Sequence, residues 1–300
     1  MKSLISISDF EKEIKEILDL ANGFKQGLIK GKPLDNKSLA MIFQKSSTRT
    51  RVSFEVGMFQ LGGHALFLSE NDLQMGRGEP ISDTAKVLSR YVDAIMIRAI
   101  EHEDLLEFEK VATVPIINGL SNLEHPCQAF ADMQTIKEHK GNFNGKLVFI
   151  GDGNNVCNSL LLICACLSMD ITVACPKDYT PNSEIIAQAK SIANKSDSNI
   201  IITNDVKNAV NDADVVYTDV WVSMGHEEQQ IKRQKALGKY QVNSKLMKLA
   251  HDDAIFMHCL PAIRGEEVSE DVIDGENSVI IDQAENRLHS QKAILYHLLK

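Results

Sequence analysis

Short runs of branched and aromatic apolar residues alternate with longer amphipathic stretches, and the alternation is played through twice along the chain. No other feature narrows the fold as much. A strand, a covering helix and a second strand close as a parallel pair, and a series of such units builds a parallel sheet with helices on both faces. In the first half, strands are expected at 38–43, 65–68, 93–97 and 113–117, with helices near 9–29, 48–61, 82–91 and 103–110. The second half restarts with strands at 147–150, 171–174, 199–203, 215–218 and 254–257 and helices near 156–167 and 183–193. A helix at 126–139 and the loop signal Lys140-Gly141-Asn142-Phe143-Asn144-Gly145 part the halves, and 283–300 reads as one more helix. The expectation is an α/β protein of two doubly wound parallel-sheet domains, 1–137 and 138–284, followed by a helical tail over 285–300.

The 300 residues give each half room for its own core, and 32 basic against 41 acidic side chains leave a net charge of −9. That balance argues against nucleic acid or an anionic membrane as a partner. The longest apolar run, 160–167, is far too short to span a bilayer, and the N-terminal stretch with Asp9 and Glu11 has no secretory apolar core. Six scattered cysteines form no C-x-x-C pair. Reduced thiols in a cytoplasmic enzyme are the natural reading.

Parallel sheets bind ligands at the carboxyl ends of their strands, and the polar motifs fall there. Lys45-Ser46-Ser47-Thr48-Arg49-Thr50-Arg51 joins strand 38–43 to a helix. Hydroxyls, free backbone N–H groups and guanidinium forks at a helix start suit a phosphate. The plain alternative is a Ser cap with solvated arginines. Two arginines in the first turn oppose the helix dipole, which favours an anion partner. It is not a Walker loop, since G-x4-G-K-[ST] is absent.

Arg98 ends strand 93–97, a position otherwise common for a surface arginine. His125-Pro126-Cys127-Gln128 opens a helix with Pro126 in its first turn, placing His125 and Gln128 on one face; a polar helix start is the bland alternative. Zinc is not expected, because no second Cys/His pair has ligand spacing. Gly151-Asp152-Gly153-Asn154-Asn155 imitates the dinucleotide fingerprint, but Val156 stands at the third glycine and the next strand ends in Cys175-Pro176 rather than an acid. Asp219 and Ser223-Met224-Gly225 follow strand 215–218, and His258-Cys259-Leu260-Pro261 follows strand 254–257. A Cys259–His258 nucleophile pair is a poor reading, since neighbouring strand residues face opposite ways.

In this order the motifs resemble the aspartate/ornithine carbamoyltransferase family, and within it the members that use ornithine. The resemblance runs through Ser47 to Arg51, Gln74-Met75-Gly76, Asp83-Thr84-Ala85, Arg98, His125 to Gln128, Gly151 to Asn155, Asp219 to Gly225, His258 to Pro261 and Arg287. Aspartate-using members show Pro and Arg where this chain has Cys259 and Ala262.

The resemblance implies carbamoyl phosphate bound in the first domain and ornithine in the second, with the last helix returning to the first domain. Ser47, Thr48, Arg49, Thr50, Gln74, Arg98, His125, Gln128, Cys259, Leu260 and Arg287 are implied for carbamoyl phosphate. Arg98, His125 and Cys259 are implied for catalysis, and Asn155, Asp219, Ser223 and Met224 for ornithine. Asn154 competes with Asn155 for that role, because the loop varies in length. Gln74 is implied to reach a neighbouring subunit, hence a homotrimer or a multiple of trimers. No cofactor or metal is implied. Two rivals remain at this level: a nicotinamide oxidoreductase resting on Gly151–Asn155 alone, and a non-catalytic paralogue.

Overall fold

The computed structural model describes residues 2–70, 73–74, 78–222 and 230–300. The chain divides into two compact units, Met1–Gln134 with Glu285–Lys300, and Thr135–Ala284. Nine strands carry the frame: β1 (Ser38–Phe43), β2 (His64–Ser69), β3 (Ala94–Arg98), β4 (Ile116–Leu120), β5 (Lys146–Ile150), β6 (Asp170–Ala174), β7 (Ile200–Thr203), β8 (Val215–Thr218) and β9 (Ile255–His258).

The first unit holds a sheet of order β2-β1-β3-β4 and the second a sheet of order β7-β6-β5-β8-β9. Every pairing in both sheets is parallel. Interior strands β1 and β5 are buried at every residue after their first, Leu39–Phe43 and Leu147–Ile150. A pleated strand turns alternate residues to opposite faces, so such runs require cover on both sides. The doubly wound expectation therefore holds for both units.

In each sheet the order reverses once. The first chain half moves outward from β1 to β2, then returns to β3 on the other side of β1; the second moves from β5 to β6 and β7, then returns to β8. At such a reversal the loops after the two adjacent strands splay apart and leave a crevice. In the first unit these are the loops after β1 and β3, and in the second those after β5 and β8.

One strand departs from expectation. β4 begins at Ile116, three residues late, and runs to Leu120 through residues that read as a turn. Pro115 has no N–H to give a ladder, although its carbonyl accepts from Ile95 N at 2.9 Å. Asn118 is fully buried in the strand because the chain start pairs beside it: Asn118 N donates to Leu4 O at 2.8 Å, and Asn118 Nδ2 to Ile5 O at 2.8 Å. No helix among the described residues is long and apolar enough to cross a membrane.

Candidate active site

The first crevice is built from one helix start and three buried basic side chains. Ser47 is the N-cap of helix Thr48–Leu61, its hydroxyl accepting from Thr50 N at 3.3 Å. The first turn therefore exposes Ser47, Thr48 and Arg49 beyond β1. Arg51 turns away: it pairs with Glu55 at 3.0 Å and lies 3.7 Å from the centre of the Phe67 ring. Of the two arginines in this turn, Arg49 is the one close enough to bear on Arg98 and His125.

Arg98 ends β3 opposite Phe43 of β1 and is only 4% exposed. Its Nε meets no acceptor, and no carboxylate pairs with its guanidinium among the described residues. Burial, then Arg287 and Arg49, lower its pKa to about 10. A buried cation among like charges is unfavourable unless an anion joins it.

His125 sits just ahead of helix Pro126–Lys140 and is 5% exposed. Burial first, then Arg287, Arg98 and Arg49, push its imidazole far below the ordinary value, so the ring is neutral near pH 7. Gln128, one turn on, accepts from Arg287 Nη1 at 2.8 Å and donates to Asp132 at 2.8 Å. Arg287 Nη2 also donates to Thr50 Oγ1 at 3.1 Å. With its amide oxygen turned toward Arg287, Gln291 accepts from Nη2 at 2.9 Å and from Nε at 3.2 Å. The structure thus joins Thr50, Gln128 and Arg287 directly and sets Arg49, Arg98 and His125 in the same field. Sequence reading had no signal for Gln291, which owes its place to lying one helical turn after Arg287.

Gln74 is exposed, and its carbonyl accepts from Glu79 N at 3.1 Å. Its motif partners Met75 and Gly76 lie outside the described residues, as do Ser223, Met224 and Gly225.

The second crevice lies between the ends of β5 and β8. Asn154 is the N-cap of helix Asn155–Leu167, its Oδ1 accepting from Val156 N and Cys157 N, both at 3.1 Å. Its Nδ2 donates to Asp219 Oδ2 at 2.6 Å. Asn155, the alternative, is the first residue of the helix. Asp219 is 7% exposed, and its Oδ1 accepts from Val220 N at 2.8 Å and from the Cys259 thiol at 3.0 Å. Cys259 lies just past the end of β9, so strand alternation does not separate it from His258, and the two side chains differ in their partners instead: Cys259 donates to Asp219 and His258 meets Glu267 at 3.1 Å.

Asp219, His258 and Cys259 bring three possible metal ligands within 4.8 Å of one another. The His258 nitrogens are both engaged, by Glu267 and by Leu260 N, and the Cys259 proton is given to Asp219. The donor set is that of a hydrogen-bonded network, which a metal would have to dismantle.

The glycines of Gly151-Asp152-Gly153 have a local cause. A Cβ on Gly153 would lie 2.5 Å from the Thr180 carbonyl carbon and 2.6 Å from Pro181 Cδ, and Gly153 N donates to Tyr179 O at 2.8 Å. Close packing against the Thr180–Pro181 backbone accounts for the glycine at 153 without a dinucleotide. Burial lifts the Cys127 thiol to about 12 and the Cys175 thiol to about 11, and all six cysteines are free of disulfides.

Two family models match. The carbamoyl-P binding domain of aspartate/ornithine carbamoyltransferase matches residues 2–138, and the Asp/Orn binding domain matches residues 144–298. The chain is 64% identical to an ornithine carbamoyltransferase of Methanobrevibacter smithii, with 100% of both chains covered. Among solved structures it is similar to ornithine carbamoyltransferase from Pyrococcus furiosus, with 53% identity, a TM-score of 0.96, and 99% of this chain and 97% of that one covered. The anabolic ornithine carbamoyltransferase of Campylobacter jejuni is 45% identical, with a TM-score of 0.95 and 99% of each chain covered. With both halves matched by the family's models and a relative 64% identical over the full length, the chain belongs to the aspartate/ornithine carbamoyltransferase family.

Proposed function

We propose that the chain transfers the carbamoyl group of carbamoyl phosphate to the δ-amine of L-ornithine, giving L-citrulline and phosphate. The observation that carries this reading is Arg98: a buried guanidinium with an unpartnered Nε, flanked by Arg49 and Arg287, is a ready anion site. Identity of 64% over the full length to an enzyme named for ornithine supports the second substrate.

In this reading residues 1–137 with 285–300 take carbamoyl phosphate and 138–284 take ornithine. Ser47, Thr48, Arg49 and Thr50 hold the phosphate at the helix start, with Gln128 and Arg287 behind them. Arg98, neutral His125 and Thr50 donate to the carbonyl oxygen. Negative charge grows on that oxygen as the amine attacks, so these donors bind the tetrahedral transition state more strongly than the planar substrate.

Asp219 and Asn155 hold the amino-acid end, together with Ser223 and Met224, and Asn154 keeps Asp219 in place. Cys259 and Leu260 stand at the reacting nitrogen and complete the carbamoyl phosphate set. An alkylammonium has a pKa of about 10.4, so roughly one molecule in a thousand is neutral near pH 7.4. A dry site among arginines disfavours the protonated amine. The nitrogen lone pair forms the new C–N bond, the bond from carbon to the phosphate oxygen breaks, and the phosphate leaves carrying the proton from nitrogen. No dedicated protein base is then required.

Exposed Val52 and Phe59, seven residues apart on one helix face, supply apolar surface suited to self-association. We take the assembly to be a homotrimer in the cytoplasm, with Gln74 serving a neighbouring subunit, and the pathway to be arginine metabolism.

The test is citrulline formation by the purified protein with ornithine, acetylornithine, putrescine and aspartate in parallel. Turnover confined to ornithine supports the reading, and turnover with another amine instead replaces it. For the assembly, co-folding inactive Gln74→Ala and Arg98→Ala chains restores activity if Gln74 acts across subunits.

A further inference from the structure

Leu260 has φ +57°, in the left-handed region that a branched side chain rarely enters. Something must hold it there. Its N–H donates to His258 Nδ1 at 2.9 Å, so that nitrogen carries the lone pair and the ring proton sits on Nε2. Nε2 faces Glu267 Oε1 at 3.1 Å, and the same oxygen accepts from Ile263 N at 2.6 Å. His258 and Glu267 are both fully buried. One carboxylate oxygen thus grips the loop on both sides of Cys259–Ala262. The start of the loop is fixed as well, since His258 N donates to Gln283 Oε1 at 2.9 Å and Gln283 Nε2 donates to the Tyr217 hydroxyl at 3.0 Å.

Neither buried titratable group takes part in the chemistry proposed above. We propose that Glu267 is a positioning residue: through the His258 tautomer it holds Leu260 in its left-handed conformation and so aims the Leu260 carbonyl and the Cys259 thiol at the reacting amine. The inference rests on the reading that places Cys259 and Leu260 beside that amine.

The test compares four single variants in steady-state kinetics with both substrates varied. Glu267→Leu and His258→Phe remove the acceptors, and each is expected to raise the ornithine KM about tenfold and the carbamoyl phosphate KM, which Cys259 and Leu260 also serve, only about threefold. Glu267→Gln keeps an oxygen for both donors, and His258→Asn places an amide oxygen within reach of Leu260 N; each is expected to recover most of its partner's loss. If Glu267→Leu does not fold, the His258 pair decides. A lower melting temperature with an unmoved ornithine KM, a parallel rise in both KM values, or no recovery in the acceptor-keeping variants overturns the proposal. Cys259→Ala separates the two levels. If it leaves ornithine use untouched, the reading of this site fails; if it impairs ornithine use while Glu267→Leu does not, only the positioning role fails.

Discussion

Asn154 Nδ2 and Asp219 Oδ2 meet at 2.6 Å, joining the loops after β5 and β8 where the strand order of the second sheet reverses. One amide does two tasks, since its oxygen caps a helix while its nitrogen steadies the acid. Asp219→Asn removes the charge and leaves the size. Ornithine KM is expected to rise tenfold or more while the carbamoyl phosphate KM stays within about threefold, a shift of roughly 1.4 kcal/mol or more in ornithine binding. Equal loss for both substrates in initial-rate assays would mark Asp219 as structural.

In the proposed reading Arg98→Ala takes one donor from the carbonyl oxygen, and it leaves β3 intact, because no carboxylate among the described residues pairs with the side chain. Turnover should fall by about 10²–10³ without a lower melting temperature, since the variant also removes one of three mutually repelling charges. Near-normal turnover would remove Arg98 from the carbonyl site.

Acid should destabilise the protein in a way traceable to His125. Its pKa is lowered in the folded chain, so the unfolded chain takes up a proton that the folded one refuses. Stability is therefore full above the unfolded value of about 6.5 and is lost as pH falls below it. His102 and His289 are lowered by burial too and act with the same sign. Melting temperatures should stay level from pH 8 to about 6.5 and fall from there to pH 5, and His125→Asn should show a shallower fall. Identical slopes would contradict the buried neutral imidazole.

Gly153→Ala drives a methyl group into the Thr180–Pro181 backbone. A cost of about 1–3 kcal/mol is expected, read as a lower denaturant midpoint, together with weaker ornithine use because the same loop carries Asn154. Unchanged stability would show that the loop has room to spare.

Much of this was legible in the sequence because the cues were local. Strand 38–43 reads from its apolar run and helix 48–61 from its Ser cap, and both bounds match the structure. Arg98 and Asp219 were legible as polar residues just past apolar runs. β4 was misjudged by three residues because Asn118 and Gly119 look like a turn, and only the distant Leu4–Ile5 segment makes them a strand. Gln291 and Glu267 were not legible at all. Gln291 acts on Arg287 from one turn along the same helix and Glu267 on His258 through the folding of the loop between them, and neither carries a pattern of its own. Asn154, not Asn155, proves to be joined to Asp219, which spacing alone could not decide.

The gathering of Arg49, Arg98 and Arg287 around His125 has a consequence outside catalysis. The empty protein folds with mutual repulsion inside it, so any small oxyanion that settles there acts as a counter-ion and tightens the native state. Free phosphate, the reaction's own product, is such a species. At a hundred times its dissociation constant, a ligand of the folded state adds about 2.7 kcal/mol of stability. The choice of storage buffer thus bears on the thermal endurance of this protein and on how readily its site admits substrate.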